Sequence, residues 1–99
     1  MVTAAEIVNL RLLDIVPGTS TNEEGTLLFA ALDPIIAKGN QVRLFLDGAT
    51  PLSSSFLNSS FGELIDKYGL DKVKSLLLIS RYTPSLARTI KEYFEKVAC

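Results

Sequence analysis

The sequence predicts one small α/β domain in which helices cover a mainly parallel sheet, in the order βαβαβα and in two or three layers. Short runs rich in branched apolar residues recur at 6–16, 41–46 and 73–79, which is typical of strands. A segment with apolar residues at helical spacing follows each run, and strands that alternate with helices pair in parallel through right-handed crossovers. The 99 residues fit a single domain over 1–99.

The first strand is expected to end at the turn formed by Pro17 and Gly18. The helix after it begins at Thr21, three residues before Glu24, which is the spacing of a capping box. Pro34 lies inside this helix and predicts a kink, because its ring removes one backbone hydrogen bond. The apolar residues at helical spacing are Leu28, Ala31, Leu32, Ile35 and Ile36.

The second strand ends at Asp47 and Gly48, and the helix after it is expected to end at Gly69. Its predicted inner face consists of Leu57, Phe61, Leu64, Ile65 and Tyr68. The third strand is predicted over 73–79. The last helix is predicted to begin with Thr83 as its cap and Pro84 as its first residue.

In a three-stranded sheet, it is not evident what covers the second face. If they lie in the order 1-2-3, both crossover helices cover the same face. The opposite face, which holds Phe45 or its neighbours Leu44 and Leu46, then needs the last helix, a further strand or another subunit. We therefore expect either a homodimer or a first segment that contributes more than one strand.

The composition excludes several classes of function. Net charge is −1 and the basic residues are scattered, which argues against nucleic acid as a partner. The longest apolar run, 27–32, is far shorter than the ~20 residues of a membrane helix, and the first residues lack the layout of an export signal. We therefore expect a cytoplasmic protein that does not bind membranes.

The chain has no histidine and a single cysteine, Cys99. One cysteine excludes an internal disulfide and a thiolate metal cage, and the lack of histidine excludes Ser-His-Asp catalysis and the common zinc sites. We expect no cofactor, no metal and no enzymatic activity.

Hydroxyl residues cluster where parallel strands would end. The segments 19–21, 50–55 and 80–85 each follow a predicted strand and precede a helix. Ligands and partners of open parallel sheets gather at this edge, and helix N-termini there favour phosphate. Ser and Thr are also common helix caps, which is the alternative interpretation of the cluster.

The serine run Ser53, Ser54 and Ser55 stands at the turn between the second strand and its helix. Capping explains one serine, not three. A phosphate on Ser54 would add nearly two negative charges at a positive helix end and change docking without unfolding the domain. Ser54, with Ser55 beside it, is therefore the candidate phosphorylation site.

Other candidate residues flank this run. Asp47 either binds a metal, acts as a base or simply forms a turn with Gly48. Arg81 and Tyr82 either grip a phosphate or an acidic partner, or form a solvated strand end. Phe56 falls outside the predicted inner face, so it either points toward a partner surface or belongs to the core.

Residues 44–57, continued by 58–64, resemble the STAS-like family, which is related to the anti-sigma-factor antagonists. The core of that family is an apolar strand that ends in an acid, then a short loop, Ser-Ser-Phe-Leu and a helix. The resemblance covers roughly 18–80 and is specific across 44–64.

In the antagonists proper the turn reads Asp-Ser-Ser-Gly, and its first serine is phosphorylated by a partner kinase that is also the anti-sigma factor. Ser53 falls on the acid, Ser54 on the phosphorylated serine, Ser55 on its neighbour and Phe56 on the glycine. Two of the four positions differ, so the resemblance supports partner binding more firmly than phosphorylation. It also implies association with a histidine-kinase-like ATPase that acts as a serine kinase.

The leading hypothesis is a non-catalytic protein–protein interaction module, a bacterial-type signalling regulator that switches partners. The predicted partner-binding residues are Asp47, Thr50, Ser53, Ser54, Ser55, Phe56, Arg81 and Tyr82. The alternative is a sensor that holds an anion or nucleotide over the helix N-termini, although the chain has no glycine-rich phosphate loop.

Overall fold

The computed structural model describes residues 7–48 and 51–98. Its sheet contains β1 (Ile7–Arg11), β2 (Gln41–Phe45) and β3 (Leu77–Ser80), all parallel and in the order β1-β2-β3. The predicted mixed α/β class with a parallel sheet is confirmed.

Helices connect these strands. They are α1 (Leu12–Ile15), α2 (Asn22–Ala37), α3 (Ser54–Leu57), α4 (Glu63–Tyr68), α5 (Leu70–Leu76) and α6 (Pro84–Ala98). The residues Asn58–Gly62 between α3 and α4 form a π-helical turn, called here the π segment. None of the helices in the described ranges is long and apolar enough to cross a membrane.

Two strand predictions were wrong in their extent. The first strand ends at Arg11, and the next residues form one helical turn in which the Val16 N–H donates to the Leu12 carbonyl at 3.0 Å. Residues 73–76 lie in α5 rather than in the third strand. In both places a short apolar run fits either structure, and one helical turn buries Leu12 with Val16, and Val73 with Leu77.

Several helix boundaries are confirmed. Thr21 accepts a hydrogen bond from the Glu24 N–H while the Glu24 carboxylate accepts one from the Thr21 N–H, so the capping box is complete. Thr83 accepts a hydrogen bond from the Leu86 N–H at the start of α6. Helix α2 continues through Pro34 to Ala37.

The core lies on one side of the sheet. Val42 and Leu44 of β2 are fully buried there against α2, and α6 contributes Leu86 and Ile90. The remaining fully buried apolar side chains include Leu12, Leu28, Leu32, Ile36, Phe56, Phe61, Leu64 and Val73.

The other face of the sheet is less covered. Phe45 and Arg43 of β2 are half-buried, and on β1 the side chain of Ile7 is 43% exposed. Leu44 and Leu46 belong to the core side, and α6 packs on that side as well. The last helix therefore does not cover the face of the sheet that holds Phe45.

Helices α2 and α4 are joined by a polar cluster around Asp33. Its carboxylate accepts hydrogen bonds from the Tyr68 hydroxyl and from the Lys67 ammonium, the latter at 3.0 Å. These two contacts, the tyrosine hydrogen bond first, lower the pKa of Asp33 below its ordinary value. The hydrogen bond to Asp33 raises the pKa of Lys67 and that of Tyr68.

Candidate functional site

Ser53 holds the turn between β2 and α3 in place. Its hydroxyl accepts a hydrogen bond from the Phe56 N–H at 3.1 Å, which caps α3, and donates one to the Ser20 carbonyl at 2.9 Å. Its own N–H donates to the Thr19 carbonyl at 3.1 Å. Ser53 therefore links the turn after β1 to the turn after β2, which brings together two of the three predicted hydroxyl segments.

Thr19 strengthens the same link from the other side. Its side chain is 1% exposed, and its hydroxyl donates to the Pro51 carbonyl at 3.2 Å. Beside it, the Glu24 carboxylate accepts from the N–H groups of Ser20 and Thr21, and the hydrogen bond from Ser20 is the main cause of the lowered pKa of Glu24. The turn that supports Ser53 is thus fixed by backbone and side-chain bonds.

Ser54 and Ser55 are exposed in the first turn of α3. No hydrogen bond to another residue of the described ranges engages either hydroxyl. The three serines therefore divide as the capping argument predicted: one caps the helix and two face the solvent. The two exposed hydroxyls are presented on a backbone that Ser53 anchors.

Phe56 was wrongly placed on the partner surface, because its side chain is 0% exposed. The cause is the π segment that follows it. In an ideal α-helix, residues five apart point about 140° away from each other, which would turn Phe56 outward if Phe61 faces inward. In a π turn the backbone bond joins i and i+5, so residues five apart lie nearly above one another and both rings are buried.

The helical path is otherwise continuous from Ser54 to Tyr68. Leu57 and Asn58, at the start of the π segment, have φ and ψ in the right-handed helical region, as do Gly62 and Glu63 at its end. The π segment is thus an inserted turn within one helix rather than a break.

Close packing surrounds the π segment. A Cβ on Gly25 of α2 would lie 2.5 Å from the Phe56 carbonyl oxygen, so only glycine permits this approach. The Ser60 hydroxyl donates to the same carbonyl at 2.7 Å, and the Ser59 hydroxyl donates to Asn22 Oδ1 at 2.9 Å. These residues were not among those predicted from the sequence, where a glycine inside a helix, which is costly without a packing reason, is the signal that points to them.

Helix α6 also reaches the π segment. The Tyr93 hydroxyl donates to Asn58 Oδ1 at 3.0 Å, and burial is the main cause of the raised pKa of Tyr93. A Cβ on Gly62 would lie 2.5 Å from that hydroxyl. The helix that carries the serines is thus held by both α2 and α6.

Asp47 follows β2 and is held by β1. Its Oδ2 accepts a hydrogen bond from Arg11 Nε at 3.0 Å, while its Oδ1 is shielded from solvent and has no hydrogen-bond partner among the residues that the structure describes. Within the described ranges, no three residues of the types His, Cys, Asp and Glu come together as metal ligands. The geometry thus assigns Asp47 an ion pair that joins a strand to the loop before the serine run.

Arg81 and Tyr82 follow β3. Arg81 has φ of 54°, in the left-handed region, and its guanidinium carbon lies 5.7 Å from the centre of the Phe45 ring. Tyr82 is 51% exposed. No hydrogen bond or ion pair within the described ranges joins either residue to the serine run, and Thr50 lies outside those ranges.

Comparison with known proteins identifies the family. A family model described as "STAS-like domain of unknown function (DUF4325)" matches residues 24–87, which run from the first turn of α2 to the first turn of α6. No curated protein and no solved structure matches the chain. Because the matched segment covers about two-thirds of the sequence, the chain belongs to the family of STAS-like domains.

Proposed function

We propose that this domain is a non-catalytic interaction module that docks another protein through Ser54, Ser55 and the loop before them. The observation that carries the proposal is the difference between the three serines in hydrogen bonding and exposure. Ser53 takes part in four hydrogen bonds, two through its hydroxyl and two through its backbone, whereas Ser54 and Ser55 are exposed and their hydroxyls make no hydrogen bond to the described residues.

The rigidity of the turn supports this function. Binding is tighter when the contacting groups are already ordered, because less conformational entropy is lost. The bonds of Ser53 and Thr19 order the backbone, and the π segment directly after α3 is packed between α2 and α6. The two hydroxyls therefore project from a preformed surface.

Phosphorylation of Ser54 would switch this surface. The first turn of a helix carries a partial positive charge and favours a phosphate, so the modified domain would remain folded. A partner that packs closely on the neutral serine would meet nearly two added negative charges. We infer that the partner is a histidine-kinase-like ATPase with serine-kinase activity and that phosphorylation of Ser54 releases it.

The first experiment captures the partner at the proposed surface. A photo-crosslinking amino acid replaces Ser54 in one variant and Ser85, an exposed serine in the first turn of α6, in the other. We expect a protein to be cross-linked from position 54 and not from position 85. Equal cross-linking from both positions, or none from position 54, would contradict the proposed surface.

The second experiment measures the switch with that partner purified. Ser54→Glu is expected to weaken binding about tenfold or more, a loss of about 1.4 kcal/mol. Ser54→Ala, which removes the hydroxyl without adding charge, should weaken binding less than Ser54→Glu does, and the matched control Ser85→Glu should bind as the wild type does. If Ser54→Glu and Ser85→Glu bind equally well, the charge-sensitive switch is wrong even if the surface is right.

A further inference from the structure

A groove lies on the core side of the edge strand β3, between α5 and α6. Its volume is about 460 Å³, within the range of ligand pockets. Leu70, Ile79, Ala87, Ile90 and Phe94 supply its apolar lining. Apart from Ile90, these side chains are only half-buried, so a bound apolar group would remove further surface from water.

Charged side chains stand on the two walls of this groove. Lys74 lies on the α5 wall, and Lys91 lies on the α6 wall together with Glu95. Both lysines are exposed. The groove thus carries one more positive than negative charge, and the positive groups occur on both walls of an apolar space.

We propose that this groove binds a small amphipathic carboxylate, of the chemical class of medium-chain fatty acids. The apolar chain lies along Ile79 and Phe94, and the carboxylate is held between Lys74 and Lys91. This site is independent of the proposed docking surface at Ser54 and Ser55, since none of its lining residues belongs to the turn before α3 or to α3 itself.

The size of the groove fits a small molecule. Pockets that hold small ligands have volumes of about 300–1,000 Å³. The described groove is a single space of about 460 Å³. Its charge balance favours an anionic head group over a neutral or cationic one.

The ligand series uses decanoate, decanol and decylamine on the full chain. Backbone amide shifts in two-dimensional NMR report where each compound binds. We expect decanoate to saturate and to shift the amides of Ile79, Ala87 and Phe94 most strongly. We expect decanol to bind about four- to twenty-fivefold more weakly, as the loss of two exposed ion pairs implies, and decylamine to bind more weakly still.

Four variants separate the contribution of the lysine charges to binding from that of the apolar space. Lys74→Met and Lys91→Met should each weaken decanoate binding about two- to fivefold without changing decanol binding. The matched control is Lys96→Met, an exposed lysine on α6 that does not line the groove, and it should leave both affinities unchanged. Ala87→Phe fills the groove and should abolish binding of both compounds.

Three results would overturn the proposal. They are shifts confined to residues outside the groove, equal affinity for decanoate and decanol, and equal loss in the Lys74→Met and Lys96→Met variants. Because the lysines are exposed, their replacement leaves the core intact, and the comparison holds even if Ala87→Phe proves unstable.

Discussion

Replacing Ser53 by alanine tests the turn on which the candidate site depends. The substitution removes the cap of α3, a loss of about 1 kcal/mol, and leaves the Phe56 N–H without its acceptor. It also removes the hydrogen bond to the Ser20 carbonyl, a further loss of about 1 kcal/mol. We therefore expect Ser53→Ala to lower the free energy of unfolding by about 2 kcal/mol, a fall in Tm of about 8–16 °C for a domain of this size.

Urea denaturation followed by far-UV circular dichroism measures this loss. Ser54→Ala and Ser55→Ala are the matched controls, because the same chemical change at an exposed position should alter stability by no more than about 0.5 kcal/mol. Ser53→Thr keeps both hydrogen bonds and should retain most of the stability. Ser53→Asp restores only the cap, because a carboxylate cannot donate to the Ser20 carbonyl. If Ser53→Ala costs no more than Ser54→Ala, Ser53 does not anchor the turn.

Two further predictions concern how α2 packs. Gly25→Ala places a Cβ 2.5 Å from a backbone carbonyl oxygen of α3. It should destabilise the domain by about 1–3 kcal/mol, although alanine has the higher helix propensity. If the variant is as stable in urea as the wild type or more stable, α2 and α3 do not pack this closely. Because Tyr68 and Lys67 lower the pKa of Asp33, ionised Asp33 adds stability above its ordinary pKa of 3.8, and this stability is lost as the pH falls through its lower pKa in the folded protein. Asp33→Asn should therefore lose less stability than the wild type between about pH 5 and pH 2, as measured by urea denaturation at each pH. Parallel curves for Asp33→Asn and the wild type would refute the role of Asp33.

The helix ends were predictable because their signals are local. A capping box depends on two residues three apart, Thr21 and Glu24, and a proline such as Pro84 fits the first position of a helix whatever surrounds it. The parallel pairing of the strands followed from the alternation of strands and helices, whereas the order 1-2-3 was considered only as one possibility.

The extent of the strands was not predictable from local pattern alone. Residues 73–79 contain the apolar run 76–79, but α5 begins before it, and Leu70, Val73 and Leu77 already have a helical spacing. Periodicity alone does not separate a short buried strand from a helical turn. The packing of α5 against the sheet decides the boundary, and that information is spread over the whole chain.

The buried position of Phe56 changes how the two departures from the antagonist turn are understood. Phenylalanine in place of the glycine adds a side chain to the core, because the π segment turns it inward, and so leaves the exposed surface unaltered. Ser53 in place of the acid fills the N-cap of α3, a position for which serine and aspartate are about equally favourable. Both substitutions therefore fall on groups that build the turn, while the two positions that face solvent, Ser54 and Ser55, keep the serines of the motif. The exposed positions of the turn therefore still carry serines, although two of the four motif positions differ, and this makes Ser54→Glu a sharper test of the proposed function than the sequence resemblance itself.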